Sequence, residues 1–84
     1  MTNKEILKKQ IIYRSTHRGT KEMDLLLGSF VNKYLDHFNM NELLDLKRLL
    51  FFEDEVIYTW YMKKNSSEII PKNNVSIKLK NFKL

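Results

Sequence analysis

The stretch of sequence that decides the fold is TKEMDLLLGSFVNKYLDHF, residues 20–38. Its apolar side chains recur at intervals of three and four positions: Met23, Leu26, Leu27, Phe30, Val31, Tyr34 and Phe38. This spacing places them on one face of an α-helix, so that the polar side chains fall on the other face. The sequence therefore predicts a long amphipathic helix over residues 20–38 as the central element. Gly28 lies inside it and predicts the close approach of a second helix.

Shorter helices are predicted on both sides of this central element. Residues 2–15 form the first, in which Thr2 and Glu5 have the spacing of a capping box. Asn41 is the predicted N-cap of a third helix that extends to about Leu50. The apolar face of this third helix consists of Leu43, Leu46, Leu49 and Leu50.

The last third of the chain predicts two more short helices. One begins within Glu53–Glu55, and its apolar face consists of Val56, Ile57, Trp60 and Tyr61. Residues 65–74 are predicted to be a polar linker, and a short C-terminal helix begins near Asn74. The predicted fold class is all-α, a compact bundle of about five short helices. It forms a single helical domain over residues 1–84.

The charge of the chain is unevenly distributed along its 84 residues. Residues 1–21 carry six basic and one acidic side chain, residues 22–62 three basic and eight acidic, and residues 63–84 six basic and one acidic. The two ends are therefore basic and the middle is acidic. Basic ends suit nucleic acid or an acidic protein surface, although solvation of a small domain is the simpler interpretation.

Few side chains in the sequence could support catalysis or hold a metal ion. The chain has no cysteine, and its two histidines, His17 and His37, do not have the spacing of a metal site. Glycine-rich phosphate loops and a nucleophile elbow are absent from the sequence. A chain of this length also has little room to enclose a deep pocket. We therefore expect a working surface rather than a catalytic cleft.

The segment between the first two predicted helices carries the most unusual group of side chains. His17, Arg18, Gly19, Glu22 and Asp24 place both signs of charge around a glycine. The arginine offers a planar fork of donors, and the glycine predicts either a positive φ or a close approach by other atoms. In the purely structural interpretation, Arg18 pairs with Glu22 and the acids stabilise the helix N-terminus. The alternative is that this segment is a contact surface for a partner. The residues alone leave both interpretations open.

The same residues resemble a known family. The string Arg18-Gly19-x-x-Glu22-x-Asp24 precedes the long apolar helix, and an acidic turn later leads into VIYTW, residues 56–60. In these strings, in helix order and in length, the chain resembles the SdhE family. These are the small FAD assembly factors of succinate dehydrogenase, and the eukaryotic member is succinate dehydrogenase assembly factor two. The resemblance covers roughly residues 6–82, and the combination is specific although the short string alone is not.

The resemblance implies a bundle of about five helices and an accessory role rather than an enzyme. Members bind the flavoprotein subunit of succinate dehydrogenase, or in some bacteria that of fumarate reductase, and promote covalent attachment of FAD to a histidine of it. Arg18, Gly19 and Glu22 match the partner-binding motif of the family, and Asp24 matches an acid common there. His17 stands where Arg or Lys is usual, so its charge depends on pH. We expect no tightly bound cofactor, no metal, no nucleic acid or membrane partner, and a monomer when free.

The alternative function is that of a small basic nucleic-acid-binding helical module. It rests on the basic ends of the chain, with Tyr13, Trp60 and Phe82 as groups on which bases could stack. Trp60, however, falls on an apolar stripe, and residues 41–62 are acidic, so no basic recognition helix is visible.

The first residues of the sequence bear on localisation. Residues 1–5, MTNKE, contain no apolar signal segment, and no apolar run in the chain is long enough to cross a membrane. No leader rich in arginine and serine precedes the first predicted helix. The sequence therefore predicts a protein of the bacterial cytoplasm.

Overall fold

Residues 2–63 and 69–84, which the computed structural model describes, contain five α-helices and one 3₁₀ segment. In chain order they are α1 (Asn3–Thr16), α2 (Lys21–Tyr34), the 3₁₀ segment (Leu35–His37), α3 (Met40–Leu50), α4 (Asp54–Met62) and α5 (Asn74–Lys80). These ranges contain no β-strand. The prediction of an all-α bundle of about five short helices is confirmed.

Helix α2 is the centre of the core, as its apolar periodicity predicts. Five of its side chains are buried: Met23, Leu26, Leu27, Phe30 and Val31. Helix α1 packs against both α2 and α3, and α5 packs against α3. The ring of Phe30 is fully buried and lies near three other aromatic rings, those of Tyr34, Phe38 and Phe82. The interior is thus an apolar cluster shared by all five helices.

Two predicted helix boundaries are wrong, and local hydrogen bonding explains both. Helix α2 ends at Tyr34, where the chain tightens into the 3₁₀ segment instead of continuing to residue 38. Helix α3 is capped by Asn39 and not by Asn41. The Asn39 side chain accepts a hydrogen bond from the backbone N–H of Glu42 at 2.9 Å, and the Glu42 carboxylate accepts one from the Asn39 N–H at 3.0 Å. This reciprocal capping box fixes the start of α3 two residues earlier than predicted.

Helix α1 begins as predicted and buries a narrow apolar stripe. Its N-cap Thr2 accepts a hydrogen bond from the Glu5 N–H at 3.1 Å. Leu7 and Ile11 are buried, whereas the neighbouring isoleucines at positions 6 and 12 are exposed. One narrow apolar stripe is therefore enough to hold α1 on α2 and α3.

The C-terminal helix begins at Asn74, which confirms the prediction for this ambiguous segment. Asn73 caps it through a reciprocal pair of hydrogen bonds with Ser76. The apolar side chains that residues 69–84 bury in the common core are Ile70, Val75 and Leu79. Of the predicted linker 65–74, residues 65–68 lie outside the described residues. The single-domain organisation of residues 1–84 stays a prediction.

An ion pair joins α1 to the 3₁₀ segment at the end of α2. The Lys8 ammonium donates to Asp36 Oδ1 at 2.8 Å. This hydrogen bond and the charge of Lys8 lower the pKa of Asp36. Because the folded state favours the ionised carboxylate, the pair stabilises the fold above the usual carboxyl pKa and loses this effect as the pH falls below it. The carboxylate is exposed, so the contribution is small.

We expect Gly28→Ala to stabilise the protein. A Cβ at position 28 would lie 3.7 Å from Thr16 Cγ2 and 3.8 Å from the Ser15 carbonyl oxygen, which is ordinary van der Waals contact with α1. The predicted close approach is therefore real, but it leaves room for a methyl group. The free energy of unfolding should rise by up to about 1 kcal/mol, because alanine loses less backbone entropy in a helix.

Urea unfolding followed by circular dichroism measures this change. Ser29→Ala, at the next position of the same helix, is the matched control and should give a smaller gain because serine is already the better helix former. A clear loss of stability in Gly28→Ala would show that α1 and α2 need the glycine for contact.

Candidate functional site

The loop between α1 and α2, residues 17–20, is the best-organised surface segment of the described chain. His17 ends α1, and Thr20 caps α2 by accepting a hydrogen bond from the Met23 N–H at 3.3 Å. The first turn of α4 lies against this loop, because Asp54 contacts it directly. Neighbouring elements therefore fix both ends of the loop and its middle.

Arg18 is the side chain that ties the loop to the rest of the fold. Its side chain is only 9% exposed. Its Nε donates to Asp54 Oδ1 at 2.6 Å, and its Nη2 donates to the Phe52 carbonyl oxygen at 2.7 Å. Its Nη1 donates to two more carbonyl oxygens, that of Leu50 at 2.7 Å and that of Arg14 at 3.2 Å. The guanidinium thus joins α1, the end of α3 and the start of α4.

The pairing of Arg18 with Glu22, which the purely structural interpretation offers, does not occur in the structure. The carboxylate that meets Arg18 belongs to Asp54, thirty-six positions along the chain. Helical spacing suggests Glu22 because the two residues are four positions apart. Arg18, however, lies before the start of α2, so its side chain is free to turn toward α3 and α4.

Gly19 follows Arg18 and uses the other oxygen of the same carboxylate. Its backbone N–H donates to Asp54 Oδ2 at 2.6 Å. The prediction of a positive φ at this glycine is wrong, since no residue described has a positive φ. The close approach of other atoms, the other half of the prediction, is present within the chain itself. A Cβ at position 19 would lie 3.1 Å from Asp54 Oδ2, which is tighter than usual contact.

The two predicted acids have different environments. Asp24 is half-buried, and its Oδ1 accepts a hydrogen bond from the Arg18 backbone N–H at 2.7 Å. Glu22 is exposed in the first turn of α2 and has no hydrogen bond or ion pair within the described part of the chain. The structure therefore directs Asp24 toward the loop and leaves the carboxylate of Glu22 available to another molecule.

His17 closes the loop on the side of α1. Its ring stacks on that of Tyr13 with centroids 3.9 Å apart and planes at 16°. Its Nδ1 lies 2.8 Å from the Tyr13 carbonyl oxygen. A carbonyl oxygen can only accept, so this hydrogen bond forms in the tautomer that carries a proton on Nδ1. Tyr13 is 62% exposed, so this stack forms part of the surface. Beside it the Arg14 guanidinium lies 4.0 Å from the centre of the exposed Phe51 ring.

A shallow groove runs from the loop between α2 and α4. Its lining residues are Thr20, Glu22, Met23, Asp54, Glu55 and Tyr58. Met23 is buried and provides part of an apolar floor, whereas Tyr58 is about half exposed. The outward-facing groups of this groove are Thr20, Glu22, Glu55 and Tyr58. It is an acidic surface with an exposed aromatic ring, suited to contact with another protein.

Asp54 is the functional residue that sequence reasoning missed. The sequence pattern places it only in the acidic start of α4, and it is indeed the first residue of that helix. Its hydrogen bonds to Arg18 and Gly19 depend on how α4 packs against the loop. The spacing of residues within a few positions of Asp54 does not predict that packing. The acidic run Glu53–Glu55 at the start of α4 is the one available signal, since it places carboxylates near a helix start.

Other kinds of site receive little support from the described residues. No group of three or more potential metal ligands comes together among them. No described helix has both the length and the apolar character needed to span a bilayer. Of the three aromatic groups proposed for base stacking, Trp60 is buried and Phe82 packs against the rings of Phe30 and Tyr34, which leaves Tyr13 exposed.

The fold and the loop together define the class of protein: a small helical module whose candidate site is an exposed surface and not an enclosed cleft. Comparison with known proteins identifies its family. Residues 9–83 match the model of the family described as "Flavinator of succinate dehydrogenase". The chain belongs to this family of succinate dehydrogenase assembly factors, which confirms the resemblance to the SdhE family.

Several curated relatives carry the name "Succinate dehydrogenase assembly factor 2, mitochondrial". The one from Scheffersomyces stipitis is 42% identical over 67 residues, covering 80% of this chain and 45% of the relative. The one from Saccharomyces cerevisiae is 39% identical over 80 residues, covering 93% and 49%. The one from Dictyostelium discoideum is 40% identical over 60 residues, covering 71% and 43%. The chain thus spans about half the length of these relatives. No solved structure matches it significantly.

The prediction of a bacterial cytoplasmic protein is wrong. The relatives named above are mitochondrial assembly factors from two yeasts and from Dictyostelium, which are eukaryotes. The prediction rested on the few residues that precede α1, and the composition of that short segment does not identify the compartment.

Proposed function

We propose that this chain binds the flavoprotein subunit of succinate dehydrogenase and promotes covalent attachment of FAD to that subunit. The observation that carries the proposal is the fixed loop between α1 and α2, with Glu22 beside it, in a chain that belongs to the flavinator family. The flavoprotein subunit of fumarate reductase is a second partner of the same kind. The free chain is proposed to be a monomer.

The chemistry in this proposal belongs to the partner. A histidine of the flavoprotein forms the bond to the flavin, and FAD stays with that subunit, so the chain binds no cofactor tightly and is not itself an enzyme. The described residues of the chain offer no group placed as a nucleophile or as a general base. Its contribution is to hold the flavoprotein in a conformation in which histidine and flavin are oriented for reaction, and orientation alone lowers such a barrier substantially.

The predicted partner-binding residues divide into two groups in this proposal. Arg18 and Asp24 are turned inward and hold the loop in shape. His17, Gly19 and Glu22 are exposed and face the partner. A rigid loop pays little conformational entropy on binding, which favours affinity.

We expect Glu22→Lys to weaken binding of the flavoprotein subunit by about tenfold or more. The substitution removes an exposed acceptor and places a positive charge where the partner is proposed to present a donor. The fold should tolerate it, because the loss of an acid from the first turn of a helix costs only about 0.3–1 kcal/mol. Titration calorimetry with the purified flavoprotein subunit measures the affinity, and a thermal melt checks the fold.

The matched control is Glu5→Lys, the same change in the first turn of α1 and outside the proposed contact. It should leave the affinity at the wild-type value. Unchanged affinity in a folded Glu22→Lys variant would remove Glu22 from the contact surface.

A further inference from the structure

The carboxylate of Asp54 links the start of α4 to the loop between α1 and α2, two segments that are far apart in the sequence. Its Oδ1 accepts from Arg18 Nε and its Oδ2 accepts from the Gly19 N–H, both at 2.6 Å. Asp54 is the first residue of α4, and its side chain is only 17% exposed. The loop between α1 and α2 is thereby fixed to the start of α4.

Arg18 extends this link to the turn between α3 and α4. Its guanidinium donates to the carbonyl oxygens of Leu50, the last residue of α3, and of Phe52, inside the turn. One carboxylate and one guanidinium therefore set the relative position of three segments. Charge-assisted hydrogen bonds of this length and burial are the strong kind.

The same geometry gives a reason for glycine at position 19. The residue is exposed and has no positive φ, so backbone conformation does not demand glycine. A Cβ there would lie 3.1 Å from Asp54 Oδ2, the atom that accepts the Gly19 N–H. A side chain at this position would therefore require the carboxylate to shift by a few tenths of an ångström while Arg18 Nε holds its other oxygen.

We propose that Asp54 is a positioning residue for flavinylation, and that position 19 is glycine because a Cβ there would crowd the Asp54 carboxylate. The proposal rests on the function proposed above and assigns to Asp54 a role that the partner-binding motif does not include. Asp54 itself need not touch the flavoprotein. It holds Gly19 and the neighbouring exposed groups in the arrangement that the partner meets.

The first test follows the Gly19 amide by NMR. The chain has only two glycines, Gly19 and Gly28, so their amide signals are readily distinguished. In Asp54→Asn we expect the Gly19 amide to shift and its hydrogen exchange to become about tenfold faster, because a charged acceptor is lost. The Gly28 signal should not move. Asp36→Asn removes a carboxylate that pairs with Lys8 at the other end of α2, and it should leave Gly19 unchanged.

The second test is a double-mutant cycle on thermal stability. Gly19→Ala should lower the melting temperature in the wild-type background by about 4 °C or more. In the background Asp54→Ser, whose side chain is shorter, the same substitution should have almost no effect, because the space beside Cβ is free. An equal shift in both backgrounds would overturn the proposal, as would an unchanged Gly19 amide in Asp54→Asn.

The third test measures covalent flavin on the flavoprotein subunit. Asp54→Asn should slow its formation by about tenfold, whereas Asp36→Asn should not slow it. A folded Asp54→Asn variant with the wild-type rate would overturn the positioning role. If the wild-type chain itself produced no covalent flavin, the proposed function would fail, while the amide and stability tests would still decide whether Asp54 positions the loop.

Discussion

Arg18→Glu is expected to destabilise the domain severely. The substitution replaces the buried guanidinium with a second carboxylate beside Asp54 and removes the donors to the Leu50 and Phe52 carbonyl oxygens. Breaking a buried ion pair in this way typically costs about 3–5 kcal/mol. A chain of 84 residues has a total stability of only about 4–13 kcal/mol. Loss of covalent flavin on the partner should therefore accompany a large fall in the melting temperature, measured by circular dichroism.

Arg48→Glu is the matched control for this result. Its side chain on α3 is 72% exposed, and its one ion pair, with Asp45, is at the surface. Exposed pairs of this kind contribute at most about 1 kcal/mol, so the variant should melt nearly as the wild type does. If Arg18→Glu also melted like the wild type and lost only flavinylation, Arg18 would be a direct partner contact and its internal bonds would be unimportant.

Gly19→Arg is expected to retain the fold and to abolish flavinylation. Because Gly19 has no positive φ, its backbone accepts an L side chain. The residue is exposed, so the arginine can extend over the surface, and only the contact of its Cβ with Asp54 Oδ2 must relax. The added side chain would cover the proposed contact surface beside Glu22. We expect a melting temperature a few degrees lower and covalent flavin at the background level seen without the chain.

Asn32→Arg adds the same side chain at an exposed position near the other end of α2 and is the control. It should support flavinylation at the wild-type rate. Full activity of a folded Gly19→Arg protein would remove this loop from the interface. Lost activity together with global unfolding would instead make Gly19 a purely structural residue.

The fold could be predicted from the sequence because its signals are local. The apolar periodicity of α2, the spacing of Thr2 and Glu5, and the start of α5 at Asn74 all follow from interactions within a few residues. The start of α3 was misplaced by two positions. Two asparagines compete there, and the pairing of Asn39 with Glu42 decides between them.

The sequence predicts which residues belong to the candidate site, but it does not predict the direction of their side chains. The sequence draws attention to the loop because Arg18, Gly19 and Glu22 form a recognisable string. The direction of each side chain depends on contacts with α3 and α4, which no spacing rule provides. The sequence therefore does not single out Asp54, and the one carboxylate that helical spacing offers to Arg18 is Glu22 instead. That the exposed members of the string bind a partner stays a prediction.

The most direct test of the account is reconstitution of flavinylation from purified components. The flavoprotein subunit of succinate dehydrogenase, prepared without covalent flavin, is incubated with FAD, with and without an equimolar amount of this chain. Flavin fluorescence of the denatured subunit on a gel then reports the covalent bond. The proposed function predicts that the chain raises the rate at which this bond forms by about tenfold or more, because it orients the partner's own groups. Equal rates with and without the folded chain would contradict it.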